Sequence, residues 1–300
     1  MKKQRVLYGS IEIGGTKINC AVAETIQNSK IMPSIIAEKK FETKTPHLNL
    51  SEAFNFFNSY NINGLGVGSF GPIELDKNSK NFGKITTTPK LQWRNFELLK
   101  NLKEKFYCDI YIDTDVNVAA LAESKWGFDN EPKSCLYLTV GTGIGGGMFL
   151  NNQLLHGVFH PEMGHIIVKN HPDDNFLGVC PHHKNCLEGL ASGFAIEKRF
   201  GKKAQSLNST EKQFMKKIIS YYLAQALSNY ILILSPNKIV LGGGVMNLEN
   251  LIIDIRSNVK KILNGYILKK DFNENINKYI VLPKLGEKSG IFGGFALCIF

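Results

Sequence analysis

Three apolar runs in this 300-residue chain end in glycine clusters: residues 6–13 before Gly14-Gly15, residues 134–140 before the segment 141–147, and residues 238–241 before Gly242-Gly243-Gly244. A glycine turn after a strand lets backbone N–H groups face an anion with no Cβ in the way, although a single such turn reads more simply as a tight hairpin. Three together, with Thr16, Lys17 and Thr142 adding hydroxyls and a positive charge, suit the phosphates of a nucleotide. Two familiar nucleotide fingerprints do not explain them. Gly14-Gly15-Thr16-Lys17 has the wrong order for a Walker loop and leads into a strand. Gly141, Gly143 and Gly146 match G-x-G-x-x-G, but a dinucleotide site needs a helix next, and residues 149–155 read as a hairpin; a nicotinamide oxidoreductase is therefore the second choice. No H-R-D or D-F-G triplet follows, which argues against a protein kinase.

The length allows about two domains. With 43% hydrophobic, 10% aromatic and 21% charged residues, disordered, collagen-like and coiled-coil chains are excluded. Thirty-six Lys+Arg against 26 Asp+Glu give a net charge of +10, which admits nucleic acid, an acidic membrane or a phosphorylated small molecule as partner. The opening Met1-Lys2-Lys3-Gln4-Arg5 is basic, but the apolar run behind it is broken by Gly9 and Glu12, unlike a signal peptide. No stretch of about 18 apolar residues predicts a membrane span, so a cytoplasmic chain without a membrane partner is expected.

Along the chain, residues 6–13 and 18–23 predict a hairpin, 65–70 and 109–112 predict strands, and 83–93 predicts a loop by its threonines and Pro89. A helix is expected over 117–126, strands over 134–140, 148–150 and 154–155, and a loop over the whole of 141–147. Thr210 and Gln213 suggest a capping box, opening a helix whose apolar face runs from Phe214 to Leu234 and stops at Pro236. Residues 238–241 predict a buried strand, and the small apolar segment 290–300 a closely packed terminal helix.

Two constellations carry chemistry. Asp113-Thr114-Asp115-Val116-Asn117 stands at a strand-to-helix junction, where Asp115 is either a cap or an exposed carboxylate able to orient a hydroxyl attacking the terminal phosphate of ATP and accept its proton. Six of the 7 histidines (His156, His160, His165, His171, His182, His183) lie in one segment with Cys180 and Cys186. Cys180, His183 and Cys186 at i, i+3, i+6, joined by His165, make a four-ligand set for a structural zinc that would fix the loop presenting Glu162 and Glu188. His182 is the alternative ligand; spacing and the resemblance described next favour His183. Cys20, Cys108, Cys135 and Cys298 lie in apolar stretches and read as buried free thiols.

These motifs together resemble the ROK (repressor, ORF, kinase) sugar-kinase family of the actin/hexokinase superfamily, and within it the bacterial fructokinases. The similarity runs in order through segments 10–17, 68–73, 85–90, 113–117, 138–147, 160–165, 171–174, 180–193 and 242–245. It implies a two-lobed actin-like (ribonuclease H-like) α/β ATPase fold, each lobe a mixed sheet flanked by helices, with residues 1–118 completed by 285–300 and a second lobe over 119–284. ATP with Mg²⁺ would lie between the lobes, its phosphates near Gly14, Gly15, Thr16, Lys17 and Thr142, and its adenosine near Phe194, Gly242, Gly243, Gly244, Val245 and Met246. Glu162, His165, Glu188, Gly71 and Thr114 would bind the sugar, with Asp115 as base toward the 6-hydroxyl of fructose. Mannose and glucose are the alternative hexoses.

Departures from the family pattern are Phe194, where relatives often have proline, and Leu91-Gln92, where a Pro-Gly pair is common. Thr114 and Glu12 stand where glucokinase-like relatives carry Asn and Asp, which points to the fructokinase branch. A homodimer is expected by resemblance. A sugar-responsive repressor of the family would need a DNA-binding module ahead of the first glycine turn, where only about a dozen residues stand, so no nucleic-acid partner is expected.

Overall fold

The computed structural model describes residues 4–267, 272 and 274–300, so the expected basic start at Met1–Lys3 lies outside the described residues. The elements run β1 (Arg5–Ile13), β2 (Lys17–Ile26), β3 (Ser34–Glu42), α1 (Pro46–Phe57), β4 (Gly64–Ser69), α2 (Leu98–Lys103), β5 (Asp109–Thr114), α3 (Asp115–Trp126) and β6 (Ser134–Val140). They continue with β7 (Ile144–Leu150), β8 (Gln153–Leu154), α4 (Leu187–Ala191), α5 (Gly193–Phe200), α6 (Ser209–Leu234), β9 (Lys238–Gly242), α7 (Leu251–Leu263), α8 (Ile276–Tyr279), β10 (Ile280–Val281) and α9 (Ser289–Ile299).

The chain divides into two compact units. The first holds Met1–Lys133, Gly147–Pro161 and Glu287–Phe300. Its sheet has the order β3-β2-β1-β4-β5, antiparallel from β1 to β3 and parallel from β1 through β4 to β5. Every residue of β4 is buried, as a short apolar strand covered on both faces should be. One side of the sheet carries the core of Ile11, Ile13, Leu65, Ile85, Trp93 and Leu98. On the other, α9 packs against α3 and β4, its glycines allowing a close approach. This packing explains why the unit differs from the expected 1–118: α3 belongs wholly to it, residues 147–161 return to it, and the C-terminal segment joins from Glu287.

The second unit holds Ser134–Gly146 and Glu162–Gly286. The second sheet has the order β10-β9-β6-β7-β8, with β10, β9 and β6 parallel and β7-β8 antiparallel. Its longest element, α6, packs on α7 and α4, and Tyr222 of α6 is fully buried.

Three local expectations are corrected. Only Gly141, Thr142 and Gly143 form a turn, whereas Ile144 to Gly147 are already strand β7, so the G-x-G-x-x-G spacing opens no helix. The capping box is formed by Asn208 and Glu211, with Asn208 Oδ1 accepting from Glu211 N at 2.9 Å and Glu211 Oε2 from Asn208 N at 2.8 Å. Asn is among the strongest N-caps, and starting there adds Ser209 and Thr210 to the helix, which a cap at Thr210 would leave out. β5 extends to Thr114 and delivers the aspartates directly into α3.

Candidate active site

The first unit builds an acidic corner. Because β5 runs into α3 without a linker, Thr114 is the N-cap, its Oγ1 accepting from Asn117 N at 3.1 Å, and Asp115 is the first helical residue. Asp115 Oδ1 accepts from Val116 N at 2.9 Å. Burial, followed by the nearby Glu12 carboxylate, pushes the Asp115 pKa up to about 7, with hydrogen bonds from the backbone N–H groups of the helix start opposing the rise. Glu12, on β1, is itself raised by burial, partly offset by Asn19, whose Nδ2 donates to Glu12 Oε2 at 2.6 Å. A carboxylate that titrates near neutrality is suited to general-base work.

Asp113 holds the junction. Its Oδ1 accepts from Thr114 N at 2.7 Å and from Asn117 Nδ2 at 2.8 Å, and its Oδ2 meets His156 Nε2 at 2.9 Å. That last bond is the main cause of a raised His156 pKa. Asn117 Oδ1 in turn accepts from Met148 N at 3.0 Å. The Gly14–Lys17 tip is closed by Gly14 N donating to Lys17 O at 3.0 Å and pinned by Thr43, whose N donates to Thr16 O at 3.0 Å and whose Oγ1 donates to Gly14 O at 2.8 Å. Lys17 is exposed, with Nζ 3.9 Å from Glu287. Gly71 lies against His160, whose Nε2 accepts from Ile73 N at 3.2 Å and whose pKa is lowered by burial.

The second unit gathers the Cys/His set. One ligand atom each from His165, Cys180, His183 and Cys186 lies within 4.8 Å of all the others. The Nδ1–Sγ distances are 3.5 Å for His165–Cys186, 3.7 Å for His165–Cys180 and 3.7 Å for His183–Cys180. A tetrahedral zinc with bonds of about 2.05 Å to nitrogen and about 2.3 Å to sulfur has N···S edges of about 3.6 Å, so the donor set fits that ion. His182 is outside the set, and the histidine cluster of the sequence separates: His156 and His160 bond within the first unit, while His171 N donates to Tyr222 Oη at 3.1 Å.

With Nδ1 facing the sulfurs, His165 turns Nε2 toward Glu188, 3.9 Å from its Oε1. Glu188, in the first turn of α4, accepts from Ile144 N on Oε2 at 2.8 Å, and a Cβ on Gly143 would come within 2.6 Å of the same oxygen. The glycine at 143 therefore makes room for the carboxylate. Glu162 begins the 3-10 turn Met163–His165, its carbonyl accepting from His165 N at 3.0 Å.

The remaining glycine turns meet at one end of β6 and β9. Gly193 N donates to Gly141 O at 2.7 Å and Phe194 N to Thr142 O at 3.3 Å, docking the 141–143 turn on the start of α5. Gly243, at φ +90°, passes so close to Val140 that a Cβ would sit 2.4 Å from its carbonyl oxygen, and Met246 N donates back to Gly243 O at 3.0 Å. Phe194 exposes its ring, with Lys198 Nζ 5.4 Å from the ring centroid, whereas Val245 and Met246 are buried and offer backbone rather than side chain.

The structure thus brings the site residues into two groups, Glu12, Thr114 and Asp115 in the first unit, and Thr142, His165, Glu188, Phe194 and the 242–246 turn in the second. Sequence reasoning missed the supporting roles of Asn19 and of the His156–Asp113 pair, which only strand pairing and tertiary contact connect; Asn117 stood within the Asp113–Asn117 motif, whose short spacing was the one available clue.

The sequence profile of the ROK family matches residues 8–299 of the chain. A protein named fructokinase from Zymomonas mobilis is 40% identical over 306 residues, covering 100% of this chain and 98% of that one. Another named fructokinase, from Lactococcus lactis, is 42% identical over 294 residues, covering 97% of each. Among solved structures, a ROK hexokinase from Thermus thermophilus shares the fold at a TM-score of 0.72 and 23% identity, covering 98% of this chain and 97% of that one.

Proposed function

The chain belongs to the ROK family, and from that premise we propose that it is a fructokinase transferring the terminal phosphoryl group of ATP to the 6-hydroxyl of fructose. The observation that carries this reading is Asp115, a half-buried carboxylate that opens α3 directly after the N-cap Thr114 and whose pKa is pushed up to about 7. Relatives named fructokinase, 40% and 42% identical over nearly their whole length, support fructose as the sugar. The products are fructose 6-phosphate and ADP.

In the proposed reaction, Asp115 orients the 6-hydroxyl and takes its proton on the carboxylate oxygen. The sugar oxygen forms its bond to the terminal phosphorus as the bond from that phosphorus to the bridging oxygen breaks and ADP leaves. Glu162, His165 and Glu188 in the second unit, and Gly71 and Thr114 in the first, are the residues of each unit proposed for the sugar hydroxyls. Thr114 Oγ1 already accepts from Asn117 N, which leaves its hydroxyl proton available to the substrate. Gly14, Gly15, Thr16, Lys17 and Thr142 serve the phosphates, and Phe194 with the turn Gly242, Gly243, Gly244, Val245 and Met246 serves the adenosine. Mg²⁺, when bound with ATP, neutralises charge on the transferring group.

His165, Cys180, His183 and Cys186 would hold a structural zinc: four ligands leave no open position, and the ion would close the loop that carries Glu162 and Glu188. We extend the proposal to a cytoplasmic homodimer; among the described residues no helix is long and apolar enough to cross a membrane. Phosphorus NMR of protein mixed with Mg-ATP and fructose tests the reaction: a fructose 6-phosphate resonance with matching ADP is expected, and no sugar phosphate from fructose would refute it.

A further inference from the structure

We propose that Lys90 is a phosphate-binding residue of the Gly14-Gly15 turn, a cation held against that turn for the polyphosphate end of the nucleotide. The proposal rests on the kinase reading for the identity of the anion, but the placement is seen in the first unit alone. A Cβ built on Gly15 would lie 3.4 Å from Lys90 Cε, so the end of this side chain passes directly over the glycine tip. Lys90 is half-buried, and among the described residues it makes no ion pair and no side-chain hydrogen bond. An ammonium that has lost part of its hydration and gained no protein partner is best satisfied by an anion from outside the chain. Lys17, the cation that the sequence itself suggests, is more exposed and has Glu287 3.9 Å away.

The loop carrying Lys90 is fixed, which separates it from an ordinary surface lysine. Lys90 N donates to Thr88 Oγ1 at 3.4 Å, and Lys90 O accepts from Trp93 N at 2.8 Å. Trp93 is fully buried, and its indole Nε1 donates to Lys44 O at 2.7 Å. Leu91 and Gln92, which stand where relatives commonly have Pro-Gly, form a 3-10 turn with Trp93 and so start that turn directly after Lys90. Thr88 O accepts from Arg94 Nε and Nη2, each at 3.3 Å. The tip itself is pinned by Thr43, so both partners of the Lys90–Gly15 contact are held by hydrogen bonds within one unit.

The test compares binding of a non-hydrolysable ATP analogue with binding of AMP by calorimetry, on full-length wild type, Lys90→Met and Lys90→Arg. A charge-assisted bond of about 1.5–3 kcal/mol converts to about a ten- to hundredfold loss. Lys90→Met should weaken the analogue by that factor and leave AMP within about threefold, while Lys90→Arg recovers most of the loss. Equal effects on both nucleotides, or no effect on either, would overturn the proposal. Melting temperatures should agree closely, since the ammonium has no protein partner to lose; if Lys90→Met does not fold, Lys90→Gln replaces it with the same expected outcomes. Failure of the kinase reading is distinguishable, because wild type would then bind the analogue without phosphorylating fructose.

Discussion

The corner around Asp115 and the loop around Cys180 both hold reactive side chains in place, but by different means. Asp115 is fixed where a strand runs into a helix, and Asp113, Thr114 and Asn117 close a hydrogen-bond network that needs nothing from outside the chain. His165, Cys180, His183 and Cys186 lie instead on a 3-10 turn and isolated bridges, with their donor atoms converging and no regular element spanning them. Regular structure can hold a half-buried carboxylate and shift its pKa; an irregular loop needs a cross-link, which a metal on this donor set would supply. The first region should therefore respond to mutation chiefly in rate and the second chiefly in stability.

The largest effect expected is in the first region. Asp115→Asn should lower kcat by about two to four orders of magnitude, as loss of a general base does. Its stability should not fall. Because the folded pKa of about 7 lies above the ordinary 3.8, the contribution of Asp115 to stability is fully present below about pH 4 and lost as pH rises through about 7. Melting of wild type and Asp115→Asn should thus coincide near pH 4, with the variant the more stable at pH 8. A variant that melts lower at pH 8 would break the contrast between the two regions.

Next is the Cys/His loop, where, if it holds zinc as proposed, Cys186→Ser or prolonged chelation should remove about one zinc per chain and lower the melting temperature on the order of 10 °C. Elemental analysis with calorimetry checks this, and a metal-free protein of unchanged stability would put both regions in the same class. Gly143→Ala, whose Cβ would press within 2.6 Å of Glu188 Oε2, should raise KM for the sugar about ten- to a hundredfold with little change in melting. The smallest effect sharpens the first region: Glu12→Gln removes a charge that raises Asp115, so the acid limb of kcat/KM, near pH 7 in wild type, should move to lower pH.

How much of this was legible in the sequence follows the same division. Asp113–Asn117 could be read because a cap, a helix start and two carboxylates within five residues have local chemistry, and Cys180, His183 and Cys186 because ligand spacing is itself a signal. The pressure of Glu12 on Asp115, the His156–Asp113 bond and the Lys90–Gly15 contact join residues distant in sequence, and no local pattern encodes them. Boundaries failed where two signals competed. Thr210/Gln213 and Asn208/Glu211 both look like helix starts, and the glycines after Ile144 look like loop although strand β7 uses them. β3, with most of its residues at least partly exposed, lacks the apolar alternation by which a strand is recognised.

The central claim, that this site phosphorylates fructose with Asp115 as base, is tested most directly by kcat/KM for fructose, mannose and glucose in a coupled ADP-release assay with Mg-ATP, run beside Asp115→Asn. The account predicts the highest kcat/KM for fructose and its loss by at least about a hundredfold in the variant. Turnover of glucose or mannose without fructose, or a variant as active as wild type, would contradict it.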